Sequence, residues 1–385
     1  MKKLTLNDEA KRAIRNGICL LDGKHFSDQL LTDDWAHLYA KDGTFLAQAY
    51  FSKQHKGVGW VVSKQLMTVD QTFFEGLLLQ AWHKRRAYHQ SEHTTAYRIF
   101  NQDGDGFGGL TIDYYQGRLV FSWYNAFVHS LREQIVAAAR AVLPDIVAGY
   151  EKIRFQGLEF ESRQLFGPAG MDRLTIRENG VAFEVFLNDG LMTGIFLDQH
   201  EVRGLLVDGL ARGKSVLNMF SYTAAFSVAA AMGGARATTS VDLAKRSRDL
   251  SRAHFEANQL DVSDHRFVVM DVFEYFKYAK RHQLVFDLII LDPPSFARNK
   301  KQTFSVAKDY HLLVSQSLEI LSEGGILIAS TNASNVTLEK FKQQIEKGFG
   351  KRKPVYLETY RLPDDFQINK KDESSNYLKV VTIRA

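Results

Sequence analysis

Three aspartates each close a short apolar run: Asp242 after "TTSV", Asp271 after "FVVM" and Asp292 after "DLIIL". Asn218 in "KSVLNMF" and Thr331 in "GGILIAST" end two further runs of the same kind. If these runs are parallel strands, their carboxyl ends are where an open α/β sheet binds ligands. A carboxylate closing the second strand can accept from both hydroxyls of a ribose. One closing the third can accept from an adenine amino group. The first loop, "NMFSYTAAFS", offers small residues and free amides at a helix start, suited to an anionic carboxylate. Together these features describe an adenosine-bearing ligand with an amino-acid tail, and S-adenosylmethionine fits. A dinucleotide fits less well, because its pyrophosphate wants Gly-x-Gly-x-x-Gly and this loop holds no glycine. A lone Asp at a strand end is an ordinary turn former. Three in succession, the last continuing into Pro293-Pro294-Ser295-Phe296, carry more information than that.

The diproline stiffens the bend after Asp292, since each ring fixes φ and the preceding residue is held extended. Rigidity helps where a planar group must lie in line with a methyl donor. Phe296 offers a face on which a base can stack, typically worth about 1–3 kcal/mol. A proline-stopped strand followed by a core phenylalanine is the plainer reading of the same residues.

The elements that must position these groups are regular from about residue 185 onward. Short apolar strands alternate with helical segments such as "LAKRSRDLSRAHFEAN" and "VFEYFKYAKRH". That rhythm predicts βαβ units around a buried parallel sheet, with strands ending at Asp242, Asp271 and Asp292. The last two, "VYLETYRL" and "NYLKVVTIRA", are joined without a helix and should form an antiparallel hairpin at the sheet edge. Residues 1–66 read as a small β-barrel. Residues 67–184 read as an α+β domain, with a helix over Gln71–Tyr88 and the Gly-rich connector "NQDGDGFGG". Residues 185–385 form the α/β domain.

Composition narrows the setting. The 385 residues are 45% hydrophobic, enough for packed cores, and contain no apolar run long enough to span a bilayer. Charges near the start, "MKKLTLNDEAKRAI", replace the apolar block of a signal peptide. The single cysteine, Cys19, excludes an intrachain disulfide and a cysteine-based zinc site. A soluble cytoplasmic protein is expected, without a membrane partner, and a homodimer is compatible. The formal charge of +5 is carried by two mildly basic ends around a slightly acidic middle, which permits nucleic-acid binding without demanding it.

The stretches "TGIFLDQH", "VLNMFSYTAAFSVAAAMGGA", "TTSVDLA", "LIILDPPSF" and "NYLKVVTIR" resemble the bacterial rRNA methyltransferases that carry an N-terminal PUA RNA-binding domain, the family of the large-subunit rRNA cytosine-C5 methyltransferase. The resemblance covers essentially the whole chain. It implies a Rossmann-like class I methyltransferase sheet of order 3-2-1-4-5-7-6, preceded by a PUA-like barrel and an α+β central domain. It further implies S-adenosylmethionine as methyl donor, held by Gln199, Asn218, Phe220, Ser221, Asp242, Asp271 and Asp292. The substrate implied is 23S rRNA, free or in an assembling large subunit.

Three departures from the family pattern matter. Ala224-Ala225 stand for paired glycines. Met192-Thr193-Gly194 and Asp198-Gln199-His200 replace Lys-Thr-Gly and Asp-Gln-Arg. Where the cytosine-C5 enzymes carry a catalytic cysteine past the fifth strand, this chain reads "IASTNASN", with Asn332. Cytosine C5 is a poor nucleophile that needs thiolate addition at C6. Asn332 cannot supply it, and Cys19 in the expected barrel reads as a small buried hydrophobe. A heteroatom such as guanine N7 needs no covalent help, and Asp292, Phe296 and Asn332 are then the expected catalytic groups. "STNASN" and "DPPSFARNKK" are also similar to a related guanine-N7 rRNA methyltransferase domain. The other reading is a catalytically lapsed RNA-binding or ribosome-assembly factor. Two basic clusters are candidates for RNA phosphate: Lys84, Arg85 and Arg86 in "HKRRAYHQ", and Lys300 and Lys301 in "ARNKKQ".

Overall fold

The computed structural model describes residues 2–26, 33–298 and 303–385. The chain forms two compact units. One comprises Met1–Leu174, Phe186–Thr193 and Asp364–Ser375; the other Thr175–Val185, Gly194–Pro363 and Asn376–Ala385.

The second unit is built on seven strands: β1 (Ser215–Met219), β2 (Ala237–Asp242), β3 (His265–Val269), β4 (Phe286–Leu291), β5 (Leu321–Thr331), β6 (Val355–Tyr360) and β7 (Lys379–Arg384). Their order is β3-β2-β1-β4-β5-β7-β6, with β1 to β5 parallel and β7 antiparallel to both its neighbours. The near-continuous apolar runs follow from burial on both faces. Leu217, Met219, Ile289, Leu291 and Leu327 pack on one side, against Tyr275, Phe276, Tyr310, Phe341 and Ile345. These partners belong to helices α3 (Val272–Arg281), α4 (Val306–Leu318) and α5 (Leu338–Phe349). Val216, Leu288, Ile290 and Ile328 pack on the other side, with Phe226, Ala229 and Ala230 of α1 (Ala225–Met232). Helix α2 (Lys245–Ala257) links β2 to β3.

Two expected boundaries shift. The third strand ends at Val269 rather than Asp271, and Asp271 instead caps α3, accepting from the amides of Phe273 and Glu274. The helix expected over Gln71–Tyr88 breaks into Gln71–Lys84 and Arg86–His89, because Arg85 leaves helical geometry and turns its guanidinium inward.

In the first unit, strands Lys2–Thr5, Asp34–Tyr39, Phe45–Phe51 and Gly59–Ser63 form one sheet, the first pair parallel and the rest antiparallel. Helix Asp8–Arg15, capped by Asn7, contributes Ala10 and Ile14 to its core. A second, five-stranded sheet spans residues 96–166 in sequence order. The two sheets share a core, for Tyr50 and Trp60 of the first pack with Phe74, Phe107 and Trp123. The Gly-rich connector is explained by close approach. A Cβ at Gly104 would lie 2.1 Å from the Gln367 carbonyl, and one at Gly108 would lie 2.0 Å from the Trp60 ring.

Candidate methyl-donor site

The loop leaving β1 is held in an unusual shape. Phe220, Tyr222 and Ala224 have φ of 58°, 50° and 60°, a left-handed conformation that costs a non-glycine residue about 1–2 kcal/mol. Ala224 adopts it where the family pattern carries glycine. Its methyl does not close the loop, which borders an open cavity of about 390 Å³. Asp242, at the tip of β2, stabilises the strained loop: one carboxylate oxygen accepts from Tyr222 N at 2.9 Å, the other from Ala244 N at 2.8 Å.

The cavity lies at the carboxyl ends of the parallel strands. Asp242, Asp271 and Asp292 line it together with Gln199, Phe220 and Asn332. Leu243, Val272, Phe273 and Phe304 add an apolar part to the lining. Gln199 Nε2 bridges two elements, donating to Ser330 Oγ at 2.8 Å and Asp292 Oδ1 at 3.2 Å. Its Oε1 stays buried without a partner. Burial pushes the Asp292 carboxyl up to about 6; Asp198 adds to the rise, while the Ser330 hydroxyl and the Arg203 charge oppose it. Asn332 Oδ1 accepts from Ser295 Oγ at 2.7 Å, joining the end of β5 to the diproline bend.

Other expected site residues fall elsewhere. Asn218 is fully buried and spends its amide on Ser227 Oγ at 3.1 Å, beneath α1. Neither it nor Ser221, whose backbone N–H donates to Val241, is among the lining residues. Phe296 is 62% exposed, on a short hairpin of Phe296–Arg298 with Thr303–Ser305. Arg85 corrects the phosphate-contact expectation. It is fully buried, paired with both oxygens of Asp105 at 2.7 and 2.6 Å, and donates to the Asp365 carbonyl at 2.6 Å. No face of its guanidinium is left for RNA. Lys84 is partly exposed and also meets Asp105, at 3.2 Å, and Arg86 is exposed. Lys300 and Lys301 lie outside the described residues.

Phe196, Leu243, Val272, Phe273 and Phe304 also line the cavity, and none of them was expected there. Leu243, Val272 and Phe273 directly follow Asp242 and Asp271, so an apolar wall beside each acid was readable. The buried acceptor Gln199 Oε1, the acids and the apolar wall together fit an adenosine moiety with an amino-acid tail.

Comparison with known proteins agrees with this geometry. Residues 160–352 match the family model of S-adenosylmethionine-dependent methyltransferases, and residues 4–64 match that of a PUA-like domain. YwbD of Bacillus subtilis (strain 168), provisionally named a ribosomal RNA large subunit methyltransferase, is 43% identical over the full length of both chains. Ribosomal RNA large subunit methyltransferase I of Aeromonas salmonicida (strain A449) is 31% identical, covering 91% of this chain and 90% of that protein. The crystal structure of SMU.776, a provisionally assigned methyltransferase complexed with S-adenosylhomocysteine, superposes with a TM-score of 0.96 at 57% identity, covering all of both chains. The fold is thus that of a methyltransferase that uses S-adenosylmethionine. More narrowly, the chain belongs to the PUA-domain-containing family of S-adenosylmethionine-dependent large-subunit rRNA methyltransferases.

Proposed function

We propose that the protein methylates a ring heteroatom of a 23S rRNA base, with guanine N7 the atom its residues suit best. The observation that carries this reading is the group past β5. It is the amide of Asn332, not a thiol, that lines the cavity beside Asp292. The only thiol, Cys19, belongs to the first unit; its proton is held by burial, which pushes it up to about 11. Addition to cytosine C6 requires a thiolate, and this cavity has none to offer.

S-Adenosylmethionine supplies an electrophilic methyl group on a sulfonium. The N7 lone pair forms the new C–N bond as the C–S bond breaks, and the sulfur keeps the bonding electrons, so no base is needed. The chain's own residues would orient the nucleobase. Asp292, ionised above about pH 6, can accept from guanine N1–H and the exocyclic amine. With Asn332 Oδ1 engaged by Ser295, Asn332 Nδ2 is a donor for O6. Phe296 is exposed enough to stack on an extruded base, and the diproline fixes the bend between it and Asp292. Lys84, Arg86, Lys300 and Lys301 would neutralise phosphates. The relatives' names support large-subunit rRNA as the substrate class, and a cytoplasmic site of action goes with it.

Mass mapping of 23S rRNA from a deletion strain, followed by reconstitution with labelled donor, tests the proposal. Loss and restoration of a methyl group on a ring nitrogen is the expected result. A methyl group recovered at cytosine C5 refutes it. Absence of S-adenosylmethionine binding at millimolar concentration would instead indicate a lapsed enzyme acting as an RNA-binding factor.

A further inference from the structure

Beside the cavity lies a buried ion pair that the chemistry above does not use. Arg203 and Glu178 are 2% and 1% exposed. The guanidinium meets the carboxylate through two bonds, Nε to Oε1 at 2.6 Å and Nη2 to Oε2 at 2.8 Å. Such a pair contributes little net stability, because desolvating both ions offsets their attraction. What it does hold is geometry. The same Nη2 donates to the Phe196 carbonyl at 2.7 Å. Phe196 opens the short turn Leu197–Gln199, which has no side-chain cap. The turn's own closing bond, Gln199 N to Phe196 O, is long at 3.4 Å. His200 N adds a second closing bond, to Leu197 O, and the turn delivers Phe196, Asp198 and Gln199 to the cavity wall.

Glu178 itself sits on a rigid mount. It ends the first arm of the hairpin Arg173–Glu178/Val181–Phe186, just before the tight turn at Asn179 and Gly180 (φ 51° and 79°). Asn179 Nδ2 donates to the His200 carbonyl at 2.7 Å, one residue past the cavity turn. The second arm is tied to the end of α2, where the Asn258 side chain both accepts from Ala182 N at 2.8 Å and donates to its carbonyl at 2.7 Å.

We propose that Glu178 and Arg203 are positioning residues for methyl-donor binding, with the hairpin as a bracket that holds the Phe196–Gln199 turn at the depth where Gln199 and Asp198 meet the donor. The proposal rests on the cavity being the donor site and is independent of which rRNA atom is methylated. Arg203 also opposes the rise of Asp292, which faces Gln199 and Asp198 from the turn, Ser330 from β5 and Tyr310 from α4. Removing the cation therefore lets Asp292 hold its proton to higher pH.

The test uses the full chain with Arg203→Met, Arg203→Lys and Asn179→Gly, S-adenosylhomocysteine as the titrant in calorimetry, and pH profiles of kcat/KM. Arg203→Met is expected to weaken binding by about tenfold or more, as for a lost charge-assisted bond, and to move the acid limb to higher pH. Arg203→Lys should return the limb towards its original position without restoring affinity, since lysine cannot fork between carboxylate and carbonyl. Asn179→Gly suits the turn's left-handed backbone, should fold with a thermal midpoint lowered by no more than a few degrees, and should weaken binding about threefold. A folded Arg203→Met protein with unchanged affinity and acid limb overturns the proposal. If Arg203→Met does not fold, wild-type affinity in Asn179→Gly overturns it instead.

Discussion

Replacing Asp292 with asparagine should make the folded protein more stable while disabling it, and the gain should depend on pH. The folded carboxyl holds its proton up to about pH 6, against an ordinary 3.8, chiefly because it is buried. Between those values the native state binds a proton that the unfolded chain has released. The stability tied to Asp292 is therefore complete below pH 3.8 and is lost as pH rises through about 6. At about 1.4 kcal/mol per pKa unit the full cost of ionising it is a ceiling of about 3 kcal/mol. The side chain opens on the cavity, where solvent screens it, so about 1–2 kcal/mol is the reasonable expectation. Roughly half of that falls between pH 5 and pH 8. The substituted amide cannot ionise and escapes the cost. Urea denaturation of both proteins at the two pH values should show the advantage of Asp292→Asn growing by about 0.5–1 kcal/mol from pH 5 to pH 8. Methyl transfer at pH 8 should fall by about 100-fold, as expected when a group that orients the nucleobase is lost. The same stability difference at both pH values would show that Asp292 titrates as an ordinary carboxyl, and the reasoning about its environment would be wrong.

Arg85→Met removes the two-bond partner of buried Asp105, leaving it Lys84 at 3.2 Å, and should cost about 3 kcal/mol in denaturant titrations, the low end for a broken buried pair, whereas Lys84→Ala, on the surface, should cost under about 1 kcal/mol. The salt dependence of RNA binding by whatever Arg85→Met protein folds should match that of the parent, because the guanidinium never faces solvent. Cys19→Ser should retain methyl transfer to within about twofold in the labelled-donor assay, since its thiol lies outside the cavity; loss of activity in a folded variant would favour thiol chemistry. Phe296→Ala should weaken RNA binding by about 5- to 150-fold, the range of one stacked base, with S-adenosylhomocysteine affinity unchanged in calorimetry.

The parallel sheet was legible because burial on both faces leaves a plain trace, as in the run from Leu288 to Leu291, all four fully buried. Its polar tips were legible for the same reason, since an apolar strand can change character only where it ends. Arg85 was not, because nothing local separates it from Lys84 and Arg86. What fixes it is Asp105, twenty residues on, and the Asp365 carbonyl, much further along the chain. Gly104 is similar: the close approach that demands glycine comes from Gln367. Asp271 marks an intermediate case. The pattern Asp271-x-x-Glu274 is a helix-start signal that competed with the reading of a strand end, and the cap prevailed. Asp242 shows the limit most clearly. Its place at a strand tip was readable, but both its oxygens already hold backbone amides of the loops they join. A ribose hydroxyl there would share those oxygens with Tyr222 and Ala244, so a carboxylate that held the donor would also be the one that shapes its loop. Substituting Asp242 therefore perturbs the left-handed loop from Phe220 to Ala224 as well as any bond to the donor. Loss of binding in such a variant mixes the two roles, whereas Gln199 divides them by atom, its Nε2 holding Ser330 and Asp292 while its Oε1 stays unpartnered.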